Sequence, residues 1–205
     1  MPSSHSVEKP APTAHSILDL LRRRWSPIAF APKPVEREKL QSILEAARWS
    51  ASSFGAQPWS FLVAERGDSA EFEKMLSCLA DKNQEWARHA GVLLISVAAM
   101  NFAHNGKPNR HAFHDVGQAA AYLTVEAMEL GLWVHQMAGI HLEKIREIYS
   151  IPEGYEPVAG IAVGYATTPE HLPESLQQRH VSPRSRKPLG EFVFSGKWGQ
   201  SSPLV

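Results

Sequence analysis

The 205-residue chain predicts an α+β fold. Three observations carry that expectation. Helical and strand-like stretches follow one another without a regular strand–helix–strand rhythm, which argues against a doubly wound sheet. Neither G-x-G-x-x-G nor G-x-x-x-x-G-K-[ST] occurs, so neither common phosphate-loop fold has support. The length and the 43% apolar content suit one domain with a sizeable core.

The elements can be read in order. Residues 1–14 are rich in Pro, Ser and Ala and read as a flexible tail, leaving residues 15–205 as one domain. "HSILDLLRRR" predicts a short helix with Ile17, Leu18, Leu20 and Leu21 as its apolar side. "WSPIAFAPKPV" holds three prolines and reads as a loop. In "EREKLQSILEAARW", Leu40, Ile43, Leu44 and Ala47 fall on one helical face. "WSFLVAE" reads as a strand, and residues 68–90 as helix broken near Asn83. "GVLLISVAAM" is a continuous apolar run, expected as a buried strand. "DVGQAAAYLTVEAMELG" is the strongest helix, with Asp115 as its expected N-cap and Gly131 as its stop. Its small residues at 119–121 would let another helix approach closely. "LWVHQMAGI" is a strand or loop, "LEKIREIYSI" a helix and "PVAGIAVGYA" a strand. From about Thr167 a long polar extension carries Phe192, Phe194 and Trp198, which should pack on the chain's own domain or on a partner subunit.

Composition excludes several function classes. Lys plus Arg and Asp plus Glu are 21 each, so no global field attracts nucleic acid or a membrane surface. The longest apolar run is too short to span a bilayer, and the first residues lack the order of a signal peptide. The single cysteine, Cys78, excludes an intramolecular disulfide, so a reducing, cytoplasmic compartment is expected. Cys78 sits among apolar neighbours and reads as a buried thiol.

Few residues suggest chemistry by themselves. No G-x-S-x-G elbow occurs, and Ser52 and Ser53 have no assignable base. His111, His114 and Asp115 form H-x-x-H-D, but zinc enzymes more often space helical histidines four apart around a Glu, so no metal is expected. "SSFGAQPWSF" places small polar residues, Pro and Trp just before a strand. It fits a backbone that skims a flat ligand, or an ordinary helix-to-strand loop. "RRRW" and "PRSRKP" are basic clusters at opposite ends of the chain. In an extended stretch Arg184 and Arg186 point the same way, and paired guanidiniums suit phosphate oxygens. Solvated basic faces would look the same.

Together these stretches resemble the FMN-dependent nitroreductase family from about Ile17 onward. "RRRWSPIAF" is similar to its opening phosphate loop. "EAARWSASSFGAQPWSF" resembles its helix, Ser-Ser loop and Gln-Pro-Trp turn. "HDVGQAAAYLTVEAMELGL" resembles its central helix, and "PRSRKPLGEFV" its C-terminal basic motif. The resemblance implies a mixed, mainly antiparallel sheet between helices. It further implies an intertwined homodimer with two FMN sites at the subunit interface, and NADH or NADPH as electron donor in a ping-pong hydride transfer to nitroaromatics, quinones or similar planar acceptors. Carried over by motif, Arg24, Trp25 and Ser26 contact the FMN phosphate and ribityl chain. Ser52, Ser53 and Gln57 line the ring from the other subunit. Asn83 bonds the pyrimidine side of the ring, while Gln136, Met137, Ala138 and Gly139 pass close to the ring face or N5. Arg184 and Arg186 complete the phosphate site. No acid–base side chain is implied, because the flavin carries the hydride. Three positions depart from the family pattern: Ile28 replaces a common basic residue, Gly55 a usual Asn, and Ala51 a common Pro. The first two motivate an alternative, a flavin-binding storage or sensor protein without turnover.

Overall fold

The structure, a computed structural model, describes residues 8–205. Four strands form one sheet in the order β1-β2-β4-β3: β1 Trp59–Glu65, β2 Val92–Ala99, β3 Trp133–Met137 and β4 Tyr155–Gly164. Every pairing is antiparallel, from Trp59 opposite Ala98 to Trp133 opposite Gly164. The mixed character expected of the sheet is therefore absent from its pairings. β2 and β3 do run in the same direction, but β4 is inserted between them.

Helices cover both faces. α1 is Asp19–Arg23, α2 Arg37–Arg48, α3 Ser69–Leu76, α4 Asp81–Ala87, α5 Ala112–Glu129, α6 Leu142–Tyr149 and α7 Glu174–Val181. On one face, Leu93, Ile95 and Val97 of β2 pack with Phe72, Met75 and Trp86. On the other, Val92 and Leu94 pack with Leu40, Ile43, Ala119 and Leu123. Both sides of β2 are buried, so its sequence shows no polar alternation. The small residues of α5 meet α2 here. One face of α5 is thus buried within its own chain, while Phe113 and Tyr122 on its outer side stay exposed.

Several boundaries differ from expectation. α1 spans five residues and buries none, leaving Ile17, Leu18 and Leu21 exposed. The break between α3 and α4 falls before Asn83, at residues 77–80. There the backbone leaves the helix to bond the segment after β3, with Ala80 N–H donating to the Gly139 carbonyl (2.9 Å) and His141 N–H to the Cys78 carbonyl (2.8 Å). α5 begins at Ala112, which puts Asp115 in its first turn and His111 at the cap position. At the other end Gly131 has φ +73°, the left-handed stop expected of it. The polar extension is not featureless, since it forms α7 and packs Leu172 and His180 inside. Cys78 is buried, and burial raises its thiol pKa.

Residues 1–7 of the expected tail lie outside the described residues. Lys9 and Ala11 are tied down: the Lys9 ammonium donates to the His180 carbonyl (2.7 Å), and Ala11 N–H to the Arg22 carbonyl (2.7 Å).

Candidate functional site

The two basic motifs meet in space. Helix α1 ends at Arg23, and Pro27 keeps the residue before it out of the helical region, so residues 24–27 form an extended loop. Burial lowers the Arg24 pKa, and Arg184 and Arg186 lower it further by charge repulsion. Arg184 feels the same effect, burial first and then Arg186. Among the described residues none of these three guanidiniums forms an ion pair. Three cations held together without a carboxylate repel one another, and a bound anion would relieve that.

The members of the cluster are not equivalent. Arg184 donates to the carbonyls of Lys9 and Arg22, the latter at 3.3 Å, so its guanidinium already fastens the N-terminal segment. Among the described residues the Arg186 guanidinium bonds only the adjacent Ser185 carbonyl (2.7 Å), and that of Arg24 only the Ser26 hydroxyl (3.4 Å). Beside them a cavity of about 630 Å³ lies between residues 11–17 and 184–189, with Ile17, Pro188 and Leu189 among its apolar walls. Ser26 is exposed, but the Trp25 indole is core: it meets Trp133 edge-on (5.8 Å) and His180 (4.8 Å), with Lys9 4.4 Å over its ring. With its indole in the core, Trp25 can meet a ligand at this loop through its main chain. Ile28 is also buried.

Strand β3 carries the next group. His135 Nδ1–H donates to the Pro27 carbonyl (2.9 Å), docking the arginine loop onto the strand. Burial pushes His135 down to about 4, with Arg179 and Arg24 contributing, against the bond to Pro27. The next residue, Gln136, donates to the Ala120 carbonyl (3.3 Å) and the Thr124 hydroxyl (3.2 Å) of α5. The Met137 side chain is buried in the core and Ala138 is exposed. The Gly139 carbonyl accepts from Asn83 Nδ2 (3.1 Å), joining the segment expected at the pyrimidine side of the ring to the one expected near the ring face or N5. Among the described residues the Asn83 side-chain amide makes no other hydrogen bond.

Residues 52–57 form a third group. Ser53–Gly55 is a single 3₁₀ turn, and Phe54 (φ +54°), Gly55 (φ +63°) and Gln57 (φ +47°) all adopt the left-handed region. Two of these carry side chains, a strained arrangement that neighbouring bonds must hold. Ser52 Oγ accepts from Gln57 N–H (3.0 Å), and Asp115 Oδ2 accepts from Ser53 N–H (2.9 Å). Phe54 projects outward, 88% exposed. No hydrogen bond or ion pair among the described residues links this loop to the arginines or to β3.

The sequence profile of the nitroreductase family matches residues 21–165. The chain belongs to the nitroreductase family. A solved structure in that fold, an oxidoreductase containing FMN, superposes with a TM-score of 0.88 at 35% identity, covering 93% of this chain and 97% of the other. An uncharacterised 15.4 kDa protein of Mycolicibacterium smegmatis is 34% identical over 68% of this chain and 97% of its own length. The major NAD(P)H-flavin oxidoreductase of Aliivibrio fischeri is 26% identical over 87% of this chain and 98% of its own. Within this nitroreductase-family chain, Lys9, Arg184 and Arg186 lie outside the profile match.

Sequence reasoning missed Asp115 as a loop anchor, His135 as a dock and Lys9 as a strap. An Asp beside a helix start reads as a cap, and a His inside "WVHQM" carries no motif. Among the described residues no group of three or more His, Cys, Asp or Glu is placed to hold a metal ion. No helix among them is long and apolar enough to cross a membrane.

Proposed function

We propose that this chain is an FMN-dependent oxidoreductase that takes reducing equivalents from NADH or NADPH and passes them to planar electron-poor acceptors such as nitroaromatics or quinones. The observation that carries the reading is the meeting of Arg24, Arg184 and Arg186 without a carboxylate partner. Membership in the nitroreductase family and the likeness to an FMN-containing oxidoreductase support it.

The residues present fit this cofactor. Arg24, Ser26 and Arg186 would hold the phosphate, with Arg184 bracing them through the N-terminal segment. Asn83 and residues 136–139 would flank the ring, with Trp25 and Met137 supporting from the core. Ser52, Ser53 and Gln57 would line the ring of the partner's site. When bound, FMN supplies the two-electron hydride chemistry. The chain orients the cofactor through charge at one end and backbone groups at the other. Small side chains at 52, 53, 55 and 139 keep the approach thin enough for a flat molecule.

A homodimer belongs to this reading. Ile17, Leu18, Phe113, Tyr122, Phe192 and Trp198 are exposed on the single chain, large apolar side chains that a partner surface could cover. One partner surface would bury it and bring the 52–57 loop to the other subunit's arginines.

The test is spectroscopic. The purified protein should carry a yellow flavin band that bleaches under anaerobic NADH or NADPH and recovers when a quinone is added. A band that never bleaches replaces the enzyme with a binding protein, and a colourless protein that takes up no FMN ends the reading.

A further inference from the structure

We infer that Asp115 is a positioning residue for the cofactor, acting through the backbone of Ser53; this rests on the reading that residues 52–57 line the flavin ring. Asp115 is only 2% exposed. A carboxylate that deep in a folded chain needs bonds to replace its water. It has two. Oδ2 accepts from Ser53 N–H at 2.9 Å, 62 residues away along the chain, and Oδ1 lies 3.1 Å from His114 Nδ1. It does not cap its helix, because α5 begins three residues earlier.

The anchored loop cannot hold its own shape. Phe54 and Gln57 both sit at positive φ without being glycine, which the surroundings must enforce. Inside the loop, the Ser52 hydroxyl bonds Gln57 N–H and the Gln57 amide bonds the Gly55 carbonyl (3.4 Å). Both bonds are local and move with the loop. The bond to Asp115 ties it to a different element. α5 is the longest helix of the chain and packs on α2 and the sheet, so the carboxylate fixes the height of Ser53 against a rigid support. Fixing that height decides whether the thin edge of the loop meets a flat ring or stands away from it.

Flavin binding to the apoprotein tests this, using FMN and riboflavin side by side. Asp115→Ala should weaken both flavins alike, on the order of tenfold, because the lost bond is charge-assisted and acts on the ring side. Asp115→Asn keeps an oxygen for Ser53 N–H and an amide for His114, so it should recover most of the parent affinity. The visible flavin band should shift in the Ala variant and return in the Asn variant. Should Asp115→Ala fail to fold, Ser53→Pro removes the same N–H, and the ψ of 154° at Ser52 suits a residue before proline; it must lose both flavins equally. Parent-like affinity and spectrum in Asp115→Ala, while Ser53→Trp blocks the site, overturn the positioning role alone. Parent-like FMN binding in Ser53→Trp overturns the ring-side reading of the loop and the role of Asp115 with it.

Discussion

Asn83 Nδ2 donates to the Gly139 carbonyl at 3.1 Å, and a Cβ atom added to Gly139 would lie 2.6 Å from that same nitrogen. The start of α4 and the end of β3 are thus joined at a point with no spare room. Gly139→Ala must push the Asn83 amide aside or move the backbone. Overpacking of this kind destabilises by about 1–3 kcal/mol, and each kcal/mol lowers Tm by about 2–4 °C at this chain length. The Asn83→Ala/Gly139→Ala pair removes the collision with Asn83 and leaves only the milder 3.2 Å approach to Ala80 Cβ. Its Tm loss should therefore be smaller than the sum of the two single losses, which thermal melts of the four proteins will show. Additive losses would mean that the two side chains do not meet.

Ser53→Trp should abolish FMN uptake and leave the far-ultraviolet circular dichroism unchanged. Ser53 stands at the edge of the loop with Phe54 and Gly55 exposed beside it, so an indole there projects away from the core and into the space proposed for the ring. Retained FMN uptake would place the loop elsewhere.

The legible parts of the chain were those set by local periodicity. β1 was expected and found over the same seven residues, and α2 buries Leu40, Ile43 and Ala47 on the expected face. The arginine motifs were legible as two basic clusters at opposite ends of the chain, and the fold brings Arg24 close to Arg184 and Arg186. What could not be read depends on contacts distant in sequence. Asp115 looks like a cap until its bond to Ser53 is seen, and the α3–α4 break is placed by pairing with residues 139–141 rather than by any local breaker. Trp25 and Met137 sit within functional-looking motifs, yet their side chains point into the core. A motif shows which segment approaches a ligand and says little about which side of the backbone does so.

Acid should destabilise the fold through two buried histidines. Burial holds His135 and His180 each at about 4; Arg179 and Arg24 add to this at His135, and Lys9 and His171 at His180, where Glu170 opposes. An ordinary histidine titrates near 6.5. Between these values the unfolded chain binds protons that the folded chain refuses. Stability is therefore full above about pH 6.5 and falls as pH drops toward 4, by about 1.4 kcal/mol per pH unit for each histidine. Urea midpoints at pH 7.5, 6 and 5 should show the decline. His135→Gln keeps a donor for the Pro27 carbonyl and should halve the slope; an unchanged slope would remove His135 as a cause.

Sedimentation should show a dimer at micromolar protein. Trp198 is 92% exposed on the single chain, while Phe194 is half-buried, bridges to Ser201 and meets the Trp198 ring edge-on (5.2 Å). A tryptophan this exposed near the end of a long extension is poorly placed unless another surface covers it. Removing residues 192–205 should shift the equilibrium toward monomer and lower flavin occupancy together. A stable monomer that retains its flavin would separate the site from assembly.

The arginines can be told apart by the ligand's phosphate. Arg186 and Arg24 have few internal bonds, whereas Arg184 fastens Lys9 and Arg22. A charge-assisted hydrogen bond is worth roughly 1.5–3 kcal/mol, so Arg186→Ala should weaken FMN on the order of ten- to a hundredfold. Riboflavin lacks the phosphate and should bind parent and variant almost alike. The variant should be purified pale and regain activity when excess FMN is added. Arg184→Ala should behave differently. It frees the N-terminal segment, so it should lower Tm and increase proteolytic cleavage near residues 8–14 in addition to weakening FMN. If Arg186→Ala lowers riboflavin affinity as far as FMN affinity, Arg186 supports the ring or the fold, and the phosphate assignment passes to Arg24 alone.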